Sequence, residues 1–200
     1  EAGLRMEDYL QTVRLPVICN YFWGDGTRLS AYGDAEAFAE EIQTKTGEPA
    51  ESVRRYLAYA GRIHDTAAEL FLWKSLHEPS TYISSLFWKS LVKLGRIDAL
   101  RSMNQAHEHF FSDPRVIQLF NRYATYNGSS PYQVPATLNI IPFVEYLHGG
   151  YAVKGGIFAI SRAMEAAAEQ VGVEIRYQAP VERILYDARR VVTGVSVGGK

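Results

Sequence analysis

The hydrophobic pattern of this chain changes period near Gly149-Gly150, and that change limits the folds open to it. Between Asp34 and Leu147 apolar residues recur at three- and four-residue spacing. Val53, Leu57, Ala60 and His64, followed by Ala67 and Phe71, mark a helix with one buried face. Beyond the glycines the spacing shortens. One helix, with Ile157, Ile160, Met164, Ala167 and Val171 on one face, ends at Gly172. Three strand-like runs follow at 173–177, 181–186 and 191–197. The pattern predicts an α+β chain: a mostly helical body over 1–148, entered through a β-hairpin, then part of an α/β domain over 149–200.

Local signals divide the body further. In 17–32, Cys19, Tyr21 and Trp23 alternate with Ile18, Asn20 and Phe22, and Gly24-Asp25-Gly26 makes the turn of a hairpin. Asp34 is placed to cap a helix with Glu36 in its first turn. Gly47-Glu48-Pro49 closes that helix and opens the next. The stretch 70–101 reads as helical, interrupted at His77-Glu78-Pro79. Ser112-Asp113-Pro114 predicts an N-cap and a helix running to Tyr126; a loop over 127–131 follows, then a helix over 136–147 bent or shortened by Pro142.

Composition excludes several classes. With 47% apolar and 22% charged residues the chain is globular rather than disordered, and a net charge of −1 gives no bulk electrostatic case for nucleic acid. Cys19 is the one cysteine, so no internal disulfide forms and a reducing compartment is the default. No apolar run reaches the length of a membrane span. The first residues do not form a signal peptide, and both ends read as cuts through a longer protein.

Chemical motifs are sparse. Phosphate-loop, nucleophile-elbow and G-x-G-x-x-G patterns are absent. His107-Glu108-His109 has neither metal-ligand spacing nor a third ligand, and reads as ordinary helix surface; no metal site is expected. Gly155-Gly156 before a helix is either a tight strand-to-helix turn or a place where backbone approaches a flat ligand closely. On residue chemistry alone no reaction is named.

Three stretches resemble the phytoene desaturase (carotenoid desaturase) family, flavoproteins of the amine-oxidase-like superfamily. They are DPRVIQLFNRYATYNGSSPY over 113–132; PATLNIIP over 135–142 with Glu145; and Gly150 through Lys154-Gly155-Gly156 to Gly172 and 180–184. Val153 stands where the family usually has proline. The run Arg122-Tyr123-Ala124-Thr125-Tyr126 is most similar to the branch that desaturates hydroxylated carotenoids, the 3,4-desaturases.

The resemblance implies an FAD-dependent oxidoreductase that introduces conjugated double bonds into an acyclic carotenoid, a long apolar polyene. Gly155 and Gly156 are then expected near the flavin and Val181 at the adenine through its backbone, while the segment for the FAD pyrophosphate is absent. Asp113 matches an acidic position that assists proton transfer, or serves only as a helix N-cap. Phe120, Tyr123, Tyr126, Phe143 and Tyr146 are expected to line a substrate tunnel, or to pack as plain core.

The stretch 74–101 carries five basic residues against two acidic ones, with Trp73, Phe87 and Trp88 in or beside it. Trp88, Lys89 and Lys93 are therefore candidate membrane contacts of a cytoplasmic, peripherally associated enzyme, or the solvated face of a packed helix. No oligomeric state is implied. The competing readings are an isomerase, ketolase or other flavin oxidase of the same superfamily, and a non-catalytic lipid- or membrane-binding module. The 200-residue stretch alone is expected to be inactive.

Overall fold

The computed structural model describes residues 3–71 and 97–199. They divide into two compact units, one over 14–151 and the other made of 3–13 with 152–199. Helices and small antiparallel ladders make the fold α+β. The chain passes between the units within the short strands β1 (Thr12–Arg14) and β4 (Tyr151–Val153).

The larger unit begins with the expected hairpin. Strands β2 (Val17–Phe22) and β3 (Arg28–Tyr32) pair antiparallel, with Asn20 opposite Ser30 and Tyr21 opposite Leu29, and a bulge between Val17 and Cys19. Gly26 adopts φ 87°, which a side chain would strain, and Asp25 Oδ1 accepts from Thr27 N at 2.9 Å. The side chain of Asp34 caps α1 (Ala35–Thr46) by accepting from Ala37 N at 2.8 Å. Gly47, left-handed at φ 81°, ends that helix before α2 (Ala50–Phe71).

A capping box of Ser102 and Gln105 opens α3 (Met103–Phe110). Pro114 opens α4 (Pro114–Asn121) at a position whose N–H needs no partner. The predicted single helix to Tyr126 instead tightens into a 3₁₀ segment over Arg122–Asn127, closed by left-handed Gly128. The predicted helix over 136–147 also divides, into a 3₁₀ turn (Ala136–Asn139) and α5 (Ile140–His148). Pro142 falls in the first turn of α5, where its missing N–H costs no ladder bond.

The core of this unit is aromatic. Phe38, Tyr56, Phe120 and Tyr123 are fully buried, and Phe120 lies 4.5 Å from Tyr56 and 4.8 Å from Phe111 between ring centres. Each large side chain removed from water in this way contributes about 1.5–3 kcal/mol. One acid is buried among them. The carboxylate of Glu48 accepts from Ser112 N at 2.7 Å and Asp113 N at 2.8 Å, tying the α1–α2 link to the start of α4.

In the smaller unit α6 (Phe158–Gln170) follows the Gly155-Gly156 turn, and β5 (Val181–Tyr186) pairs antiparallel with β6 (Val192–Val197). Asp187 holds the turn between them by accepting from Arg189 N and Val191 N. The expected strand over 173–177 is not formed. Its apolar residues Val173, Ile175 and Tyr177 are exposed, and an extended run needs a neighbouring strand to satisfy its backbone. Ile160, Ala163, Met164 and Ala167 of α6 face Met6, Tyr9 and Leu10 across a cavity of about 380 Å³.

Candidate functional site

The candidate residues gather in two places. The first is the glycine turn. Gly155 and Gly156 both occupy the left-handed region, at φ 85° and 82°. A Cβ on Gly156 would meet nothing within 4 Å, and one on Gly155 only the Ala159 Cβ at 3.8 Å. The backbone face is therefore open to a ligand, and no side chain caps α6, which starts two residues later. Val181 begins β5, half exposed, opposite Val197. The bare main chain of the turn fits the close approach of a flat heteroaromatic group. The first-turn N–H groups of α6 add a partial positive charge.

The second place lies in the larger unit. Tyr123 O–H donates to Glu145 Oε1 at 2.6 Å, and Tyr126 O–H to Glu145 Oε2 at 3.2 Å. Tyr123 is buried, and burial first, then the neighbouring Tyr146 and Glu145, pushes its phenol well above the ordinary range. Tyr126 is exposed, so of the aromatic candidates it alone stands mostly in solvent. Tyr146 stacks on Phe38 at 4.7 Å, and its buried hydroxyl makes no hydrogen bond among the described residues. Phe143 is half-buried against Gly61 of α2. Phe120 and Tyr123 pack inside the aromatic core, whereas Tyr126 and Phe143 are at its margin.

Arg122 belongs to the same cluster and escaped the sequence reading as a site residue. Its Nε donates to Tyr21 Oη at 2.8 Å, and its guanidinium lies 4.6 Å from the Tyr123 ring centre, 5.4 Å from Tyr21 and 5.6 Å from Tyr126. The cue was partial: a tyrosine four residues after an arginine in a helical run lies on the same side, which covers Tyr126 but neither Tyr123 nor Tyr21.

Asp113 is the N-cap of α4. One oxygen accepts from Arg115 N at 2.8 Å, and both engage the Arg115 guanidinium. That hydrogen-bonded guanidinium holds the carboxyl below its usual range, against burial. Arg115 in turn reaches Asp25 and Thr27, so this ion pair fastens α4 to the hairpin turn.

His107 corrects the reading of His107-Glu108-His109 as helix surface: it is fully buried. Its Nδ1 lies 2.7 Å from Asn121 Oδ1 and its Nε2 2.8 Å from Asn139 Oδ1, with Tyr56 Oη 3.2 Å away. Met103, Ala106 and Phe110 share its face of α3, a spacing that marks the inward side. Trp88, Lys89 and Lys93 lie outside the described residues. Among the described residues no helix is long and apolar enough to cross a membrane.

No family model matches the chain. Individual curated proteins do. A 1-hydroxycarotenoid 3,4-desaturase of Flavobacterium sp. (strain P99-3) is 37% identical over 184 residues, covering 92% of this chain and 37% of its own length. A hydroxyneurosporene desaturase of Rubrivivax gelatinosus is 34% identical over 202 residues, covering 99% of this chain and 38% of its own. The chain belongs to the carotenoid desaturase family. A family relative of another description, a 4,4'-diapolycopene oxygenase of Methylomonas sp, is 32% identical over 92% of the chain and 36% of its own length. The chain thus spans little more than a third of the length of the carotenoid desaturases and relatives it matches.

Proposed function

We propose that this chain forms part of an FAD-dependent carotenoid desaturase acting on an acyclic, oxygen-bearing carotenoid. The observation that carries the reading is the similarity, along nearly the whole chain, to two desaturases of hydroxylated carotenoids. In this reading the body over 1–148 is the substrate domain, and 149–200 contributes to the FAD domain. Gly155 and Gly156 hold the flavin ring by close backbone approach, and Val181 meets the adenine through its main chain; the open glycine faces support this. A flavin bound there supplies the two-electron oxidation that creates a new double bond.

The chain's own contribution is placement and the exclusion of water. Phe120, Tyr123, Phe143 and Tyr146 back an apolar wall for a polyene that offers few groups for hydrogen bonding, with Tyr126 at its rim. Asp113, already engaged by Arg115, acts first as the cap that fixes α4. A proton reaches it only if that pair opens. The basic, Trp-bearing stretch 74–101 docks on an anionic leaflet where such a substrate resides. Co-sedimentation with anionic vesicles tests this, and loss of binding in Trp88→Ala with Lys89→Ala is the expected result.

The deciding experiment expresses the complete gene in cells that accumulate acyclic carotenoids with and without a terminal hydroxyl. The expected product is red-shifted and lighter by two hydrogens per step. The oxygenase among the relatives favours one second reading, oxidation of a chain terminus. A product heavier by oxygen selects it. An unchanged mass with altered absorption selects an isomerase.

A further inference from the structure

Arg122 is a half-buried cation without an acid. Arg54, Arg101 and Arg115 each pair with a carboxylate, whereas among the described residues Arg122 forms no salt bridge. Among the described residues its Nε–H is committed, to Tyr21. Glu145, the acid of the same cluster, is bound by the hydroxyls of Tyr123 and Tyr126. The guanidinium is held by three rings and stripped of part of its hydration, with donors to spare.

Arg122 borders a cavity of about 370 Å³ lined also by Tyr21, Phe22, Trp23, Gly24, Gln118 and Leu119. Its walls are aromatic and aliphatic apart from Gln118 and the Arg122–Tyr21 pair. The Gln118 side-chain oxygen is itself taken by Trp23 Nε1 at 2.8 Å. A slot whose lining mixes ring surface with a charged donor suits an apolar chain that ends in an acceptor oxygen. The terminal oxygen of such a chain, a hydroxyl or a carbonyl, accepts from a guanidinium N–H. A cavity of this size takes the end of a polyene rather than its length.

We infer that Arg122, positioned by Tyr21, binds the oxygen-bearing terminus of an acyclic carotenoid and so sets which substrates are accepted. This rests on the carotenoid reading above and adds the residues that choose among carotenoids.

The test uses the complete gene product with two acyclic carotenoids that differ only in a terminal hydroxyl. Arg122→Met is expected to lower kcat/KM on the hydroxylated substrate by roughly tenfold to a hundredfold, mostly through KM, since a hydrogen bond to a charged group is lost. Turnover of the unhydroxylated substrate is expected to fall distinctly less, because Met keeps the apolar stem. Tyr21→Phe keeps the ring and removes only the hydroxyl that fixes the guanidinium, and is expected to shift the preference in the same direction by less.

An equal fall on both substrates, or an unchanged preference in Arg122→Met, overturns the inference while leaving desaturation standing. If Arg122→Met does not fold, judged by circular dichroism, Tyr21→Phe decides, and an unchanged substrate ratio there overturns it. If the wild-type protein converts neither carotenoid, the proposed function fails and this inference with it.

Discussion

His107 sits where a charge is least affordable, between two asparagines and beneath Tyr56. Asn121 uses its amide nitrogen on Asn104 Oδ1 at 2.7 Å, so its oxygen is left to accept from imidazole Nδ1–H. Nε2 faces Asn139 Oδ1 at 2.8 Å, and the same oxygen accepts from Tyr56 O–H at 2.9 Å. Burial depresses the imidazole from 6.5 to about 4, with the two asparagine hydrogen bonds opposing it. The lowered value means the unfolded chain takes up a proton before the folded one does. The contribution to stability is fully present above pH 6.5 and is lost as pH falls towards 4. The loss reaches about 3 kcal/mol at the acid end. Urea denaturation of wild type and His107→Gln should therefore differ most at neutral pH, with the gap closing near pH 4.5. A gap independent of pH would mean that the imidazole does not titrate in this window.

At the scale of elements, α2 and α5 meet where a helix interior holds glycine. A Cβ on Gly61 would lie 2.9 Å from Phe143 Cε2 and 3.2 Å from its Cζ. Alanine raises helix propensity by about 1 kcal/mol, but overpacking costs about 1–3 kcal/mol. Gly61→Ala is thus expected to destabilise by about 1 kcal/mol net. In the Phe143→Leu background the same change is expected to be neutral or stabilising, and urea midpoints of the four proteins check it. A loss of the same size in both backgrounds would mean that the ring is not what the glycine accommodates.

No residue-level pattern announces this contact, because it depends on which helix lies across α2. The elements themselves were largely legible. Gly24-Asp25-Gly26 gave the hairpin turn, and Asp34 and Asp113 the caps, since these are local devices. The division of 114–127 and 136–148 into 3₁₀ and α pieces was not, because tertiary packing decides where a helix tightens. Within the site, the open glycines of 155–156 were visible as a pattern. The Tyr21–Arg122 pair, 101 residues apart in the chain, was not.

The two units differ in how completely they bury their own apolar surface. The unit over 14–151 holds a core with Phe38, Tyr56, Phe120 and Tyr123 inside it. In the other unit α6 buries no residue, and Ile157, Phe158, Val181, Ile184, Tyr186 and Val192 are all more than half exposed. A two-stranded ladder is marginal in water; a third strand or a covering layer gives such elements independent stability. Relatives of this family are more than twice as long, so they have chain available for that cover. The 200-residue chain on its own is therefore expected to lose 152–199 first under limited trypsin digestion, with cuts at the exposed Arg162, Arg176 and Arg183, while a fragment from the 14–151 unit persists. Added FAD is expected to leave that pattern unchanged, since the glycine turn alone supplies too few contacts to offset the ordering of the unit. Protection of 152–199 by FAD in the isolated chain would show the opposite: that the turn at Gly155-Gly156, with Val181, already makes a competent flavin site.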